Sequence, residues 1–118
     1  MDMTETEQQI EQLEMTMDQA KQYIERAEAL IRLSKDKDFK LIITDGYFLK
    51  EASRLVLSKA TPDMMEKEVI QKDMDNSIIA IGYLKRHFNS IIAMANVSRK
   101  ALLDAEETRE EILKEAAS

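Results

Sequence analysis

Apolar side chains recur along the first part of the chain at alternating steps of three and four: Ile10, Leu13, Met17, Ala20, Ile24, Ala27 and Ile31. That alternation marks a helix with one apolar seam. Ile10, Met17, Ile24 and Ile31 take the first core position of each heptad, and Leu13, Ala20 and Ala27 take the second. Met3 and Thr6 extend the register backwards and Ser34 extends it forwards. The pattern predicts a helix over residues 6–35, roughly 45 Å long. Thr4 or Thr6 suits its N-cap, and the acids of its first turns suit the positive end of the helix dipole. Toward its end Leu30 and Leu33 widen the stripe, so the helix there faces two neighbours. Ala20, Ala27 and Ser34 admit a closely approaching partner helix. The flanking positions (Glu7, Gln9, Glu14, Thr16, Lys21, Tyr23, Glu28) show no regular attractive pairing. They do not specify a parallel zipper, whereas an antiparallel contact fits, either within the chain or across a dimer.

The pattern shortens over 36–72. Asp36 or Asp38 suits the cap of a short helix containing Phe39, Ile42 and Ile43. Asp45-Gly46 then punctuates the chain, with Gly46 as a left-handed C-cap and Tyr47 opening a helix to about Ala60. The competing reading is a β-hairpin, Leu41–Thr44 against Tyr47–Leu49 around an Asp-Gly turn. An isolated hairpin is marginal, and Phe48, Ala52, Leu55 and Val56 share one helical face. Thr61-Pro62-Asp63 starts a further helix to about Lys72, with Met65, Val69 and Met64 inward. Asp73 and Asp75-Asn76-Ser77 either cap a new helix or roughen a continuous one.

The last stretch again follows helical steps through Ile78, Ile81, Leu84, Phe88, Ile91, Ile92, Ala95, Leu102, Ala105 and Ile112. Ser98 and Arg109 interrupt it. Gly82, inside this pattern, costs up to about 1 kcal/mol relative to Ala, which predicts close approach by another helix. Acids near the helix end oppose its dipole, so fraying is expected after about Thr108. The expected fold is all-α: one helical domain over 1–118, with long helices at 6–35 and 73–115 and short helices over 36–72. The long helices form either an antiparallel hairpin or an intersubunit coiled coil. Phe39, Tyr47, Phe48, Leu55 and Phe88 make the expected central core.

Composition sharpens this reading. Across 118 residues, 44% are apolar, 34% charged and only 5% aromatic, with two Gly and one Pro, a profile that favours long helices. No Cys is present, which removes disulfides, thiolate metal sites and thiol nucleophiles. No apolar run reaches the roughly 18 residues of a membrane span. The acidic, polar start resembles neither a secretory signal nor a transit peptide. The expected location is therefore the cytoplasm.

The net charge of -6 is unevenly spread. Residues 1–28 carry eight acids and two bases, and 104–118 carry six acids and two bases. The segment between is mildly basic. If the terminal helices pair antiparallel within one chain, both acidic ends meet at one tip, which then frays or seeks a basic partner.

Candidate chemistry is sparse. His87 is the only imidazole, lies one step off the seam, and has no Ser, Cys or carboxylate in partner register. Asp73, Asp75 and Asn76 fail as a calcium loop, because the sixth and twelfth positions are Ile78 and Leu84 rather than Gly and Glu. Glu106, Glu107, Glu110 and Glu111 lack the Glu-x-x-His motif of di-metal bundles and read as a solvated helix end. Lys35, Lys37 and Lys40 form a short basic patch that Arg54, Lys59, Lys85, Arg86, Arg99 and Lys100 can join in space. The overall acidity argues against nucleic acid as a ligand. Phosphate-cradle and nucleophile-elbow motifs are missing. No catalytic, cofactor or metal site is expected, and no enzyme. The expected site is instead a protein interface along Ile10, Leu13, Met17, Ala20, Ile24, Ala27 and Ile31.

The stretch from Asp38 to Phe48, then Glu51 to Leu57, resembles small acidic helical proteins of tailed-bacteriophage structural gene clusters. Ile81-Gly82-Tyr83-Leu84-Lys85-Arg86-His87-Phe88 is similar to the same group. The resemblance covers about residues 38–95 and implies a non-enzymatic virion structural or head-assembly protein. Such a protein self-associates, binds other virion or host proteins through helix faces, and is located in the host-cell cytoplasm or the virion. The rival expectation is a regulatory adaptor or inhibitor whose acidic ends act as a charge mimic on a host protein.

Overall fold

The fold comes from a computed structural model that describes residues 4–118. It is helical, with no strand among the described residues. In chain order the elements are α1 (Glu5–Ser34), α2 (Lys37–Phe39), π1 (Lys40–Thr44), π2 (Gly46–Glu51), α3 (Ala52–Lys59), α4 (Pro62–Met65) and α5 (Glu68–Ala117). Met3, the backward extension of the seam, lies outside the described residues. The chain divides into two compact units, Met1–Ala29 with Ile91–Ser118, and Leu30–Ser90.

In the first unit, α1 is opened by a reciprocal cap. The Glu7 amide donates to Thr4 Oγ1 at 3.1 Å, and the Thr4 amide donates to the Glu7 carboxylate at 3.3 Å. This capping box satisfies two otherwise orphaned donors. The seam of α1 meets α5 in antiparallel sense: Leu13 lines a groove with Thr108 and Ile112, and Glu14 pairs with Arg109 at 4.0 Å. The buried side chains of this unit are small apart from Met17: Ala20 and Ala27 from α1, and Ala95, Ser98 and Ala105 from α5. Small side chains let two helix backbones approach closely, so packing here is backbone-near rather than built on bulky residues. The two interruptions in the α5 pattern are thereby explained. Ser98 is a small seam residue, and Arg109 reaches the Glu14 carboxylate.

In the second unit, Asp36 caps α2, its carboxylate accepting from the Phe39 amide at 2.9 Å. From there the backbone stays right-handed helical through α2, π1, π2 and α3. Its middle is wound with five-residue hydrogen bonds, Asp45 N–H to Lys40 O at 2.8 Å and Lys50 N–H to Asp45 O at 2.9 Å. Of the two sequence readings of 39–49, the helical one holds, with Asp36 as its cap and helix running on to Lys59, but its break at Asp45-Gly46 does not. There is no hairpin, and Gly46 is not a left-handed cap, since no positive φ occurs among the described residues. Gly46 serves the wide turn instead: a Cβ there would lie 2.5 Å from the Leu41 carbonyl oxygen.

Phe88 of α5 gathers the aromatic cluster, with its ring centroid 6.1 Å from Phe39 and 5.8 Å from Phe48 in an edge-on arrangement. Each such pair contributes roughly 0.5–1.5 kcal/mol beyond area burial. Leu55 is buried, and Tyr47 stacks beside Phe48.

Pro62 opens α4, but Thr61 does not cap it by its side chain. The hydroxyl donates back to Ser58 O at 2.8 Å. The helix break falls at Glu66–Lys67, not at Asp73, so the long helix begins at Glu68. Asp73 and Asp75 lie inside it. The break rephases the stripe: Met65 and Val69 point outward, Val69 being 75% exposed, while Ile70 and Met74 turn partly inward. Val56, expected on the buried face of α3, is outward too. Gln71 pins the α3–α4 corner, its amide donating to Lys59 O at 3.1 Å and Met64 O at 2.9 Å. Gly82 meets no neighbour, since a Cβ there would find nothing within 4 Å. The expected close helix approach at that position is absent. α5 also continues past Thr108 to Ala117, beyond the expected fraying point.

Candidate interaction surfaces

The seven seam positions divide. Met17, Ala20 and Ala27 are buried in the single chain, Ala27 at 1% exposure, and Ile10, Leu13 and Ile24 are half-buried. The first unit of one chain therefore covers the middle of the seam with its own α5. Ile31, at 41% exposure, stays open.

The second unit carries the larger apolar surface. Leu41 and Leu49 on the π-helices and Val56 and Leu57 on α3 are 55–69% exposed. The wide turns of π1 and π2 account for Leu41 and Leu49, whereas Val56 and Leu57 lie on the outer side of the regular helix α3. Inward positions step through Phe39, Ile43, Tyr47-Phe48 and Ala52 at four to five residues rather than three to four, so apolar residues between those steps fall on the outer side. π-Helical turns are rare and are often found at functional sites.

Charge is arranged locally. Lys35, Lys37, Lys40, Leu41 and Asp45 line a hollow of about 350 Å³. The ion pairs among the described residues are Glu51–Arg54, Lys59–Asp75 and Glu14–Arg109, and none uses those three lysines. Four of the other cations that sequence spacing offered to this patch have partners of their own. Arg54 is held by Glu51, Lys59 by Asp75, Arg86 lies 5.5 Å over the Tyr83 ring, and Arg99 bonds Asn96 at 3.1 Å. The hydrogen bond from Arg54, and then its charge, hold the Glu51 carboxyl below the usual carboxylate range. The same contact pushes Arg54 up.

In the first unit, Glu7, Glu11 and Glu14 line a groove of about 470 Å³ with Ile10 and Leu113. The acidic start of α1 and the acidic end of α5 thus meet. Glu107, Glu110 and Glu111 are exposed and Glu106 is half-buried.

His87 is exposed, its ring 6.4 Å from that of Phe88. No group of three His, Asp or Glu residues able to hold a metal occurs among the described residues. No helix among them is long and apolar enough to cross a membrane. Comparisons with protein-family models, curated proteins and solved structures gave no match to this chain.

Proposed function

We propose that the protein is a non-enzymatic structural or head-assembly component of phage type that self-associates and binds other virion proteins through outward helix faces. The observation that carries this reading is the exposure of the apolar side chains Leu41, Leu49, Val56 and Leu57 in the second unit. The phage assignment rests on the sequence resemblance across the same region. Covering these four residues together with an equal apolar area of the partner releases roughly 10 kcal/mol. Association itself costs about 4–15 kcal/mol, so the contact is concentration-dependent and belongs at micromolar levels or above. Static light scattering over a concentration series tests it. A defined oligomer at high micromolar concentration supports self-association, and a stable monomer there contradicts it. A gene lying among capsid and portal genes supports the phage assignment, and one lying elsewhere counts against it.

A second reading, an adaptor or inhibitor that mimics charge, draws on the acidic groove of Glu7, Glu11 and Glu14. It requires binding to a basic host protein that weakens steeply with salt. Unchanged binding after neutralising Glu106, Glu107, Glu110 and Glu111 would rule it out.

A further inference from the structure

We infer that a second copy of this chain docks its acidic groove into the lysine-lined hollow, joining copies head to tail. The inference rests on the self-association just proposed and names its partner and polarity. The two surfaces are chemical complements. The hollow sets Lys35, Lys37 and Lys40 around one exposed leucine, Leu41, with Asp45 as its single carboxylate. The groove sets Glu7, Glu11 and Glu14 around Ile10 and the exposed Leu113. Each has an apolar floor and a rim of one dominant sign, so contact covers Leu41 and Leu113 while ammonium groups meet carboxylates.

The π-turn shapes the hollow. Lys40 O accepts from the Asp45 amide across five residues, which brings Lys40, Leu41 and Asp45 to one concavity. The Asp36 carboxylate is turned away to the Phe39 amide, leaving it less able to neutralise the neighbouring lysines. On the groove side Glu7 is partly engaged by the Thr4 amide and Glu14 by Arg109, which makes Glu11 the strongest acceptor for an incoming lysine. Groove and hollow are different surfaces, so the contact is heterologous and repeats from copy to copy, closing into a ring or extending as a filament.

Sedimentation equilibrium of the full chain with two charge-reversed variants tests this. Lys37→Glu with Lys40→Glu reverses the hollow. Glu11→Lys with Glu7→Gln reverses the groove, the glutamine preserving the capping box. Each variant alone is expected to associate about tenfold or more weakly than the wild type. A one-to-one mixture of the two should regain association, because each then offers the other a complementary surface. Wild-type association should also fall as salt rises from about 50 to about 500 mM. Circular dichroism confirms that each variant is folded. If both variants associate like the wild type, or the mixture fails to recover, the charge pairing is wrong while self-association through the apolar face stands. If charge reversal acts without any dependence on protein concentration, the pairing lies within one chain and the inference fails. A wild-type chain that never associates overturns both proposals.

Discussion

The two units of this molecule use apolar residues in opposite ways. In the first, a regular heptad on α1 closes on α5 through Ala20, Ala27, Ala95, Ser98 and Ala105, and little of the seam is left open. In the second, the helix is wound too wide for its apolar residues to share one face. Phe39, Tyr47, Phe48 and Leu55 go inward, while Leu41, Leu49, Val56 and Leu57 go outward. The difference separates holding a fold from offering a surface. A stripe in step with the helix is consumed by intrachain packing, and a stripe out of step with it leaves apolar area for a partner.

The sharpest way to break that contrast is to charge the seam. Ala27→Glu places an uncompensated carboxylate where exposure is 1%, at a cost of about 3 kcal/mol or more. Urea denaturation followed by circular dichroism should show the loss. The same change at Val69, 75% exposed, should stay within about 0.5 kcal/mol. Equal effects at both sites would erase the distinction between seam and surface. In the second unit, Phe88→Ala removes the ring that meets both Phe39 and Phe48. Because Phe88 is only half-buried, the expected loss is about 2–3 kcal/mol, read from the thermal midpoint.

The glycines sharpen the comparison further. Gly82→Ala adds a methyl group into open space within α5 and should stabilise the chain by up to about 1 kcal/mol. Gly46→Ala drives a methyl group against the Leu41 carbonyl and should destabilise it by about 1 kcal/mol or more. A regular α-helix at 40–51 would give the same sign for both, so matched denaturation curves decide between the two windings.

Much of the first unit was legible in the sequence because a 3.5-residue repeat maps onto one helix face whatever the partner is. The all-α class, the α1 span and the inward set of α5 follow from it. The wide turn at 40–51 was not legible from heptad reasoning. Its trace was the four-to-five-residue spacing of Phe39, Ile43, Tyr47-Phe48 and Ala52, which a 3.6-residue template reads as noise. Asp-Gly carried a turn signal that the helix absorbed through its missing Cβ. The Gln71 bonds to Lys59 and Met64 were equally hidden, since they depend on where the α3–α4 corner meets α5. Of the interface residues chosen from periodicity, the middle ones form internal packing, because the sequence pattern does not distinguish a partner helix in the same chain from one in another.

The smallest effect belongs to the exposed Glu51–Arg54 pair. The folded pKa of Glu51 is lowered, so its contribution is present above the unfolded carboxylate value and is lost as pH falls through the folded one. The small stability difference between the wild type and Glu51→Gln should therefore close under acid. A difference that grows with acid would mean that the pair is not the source.

The division between seam and surface is tested most directly by Leu49→Glu with Leu57→Glu, measured in one sample by thermal melting and by sedimentation equilibrium. Both residues are well exposed. The melting curve should match that of the wild type, while the weight-average mass at high micromolar concentration should fall toward that of a single 13.6 kDa chain. A collapsed melting curve, or a mass unchanged from that of the wild type, would contradict the assignment of this face to assembly.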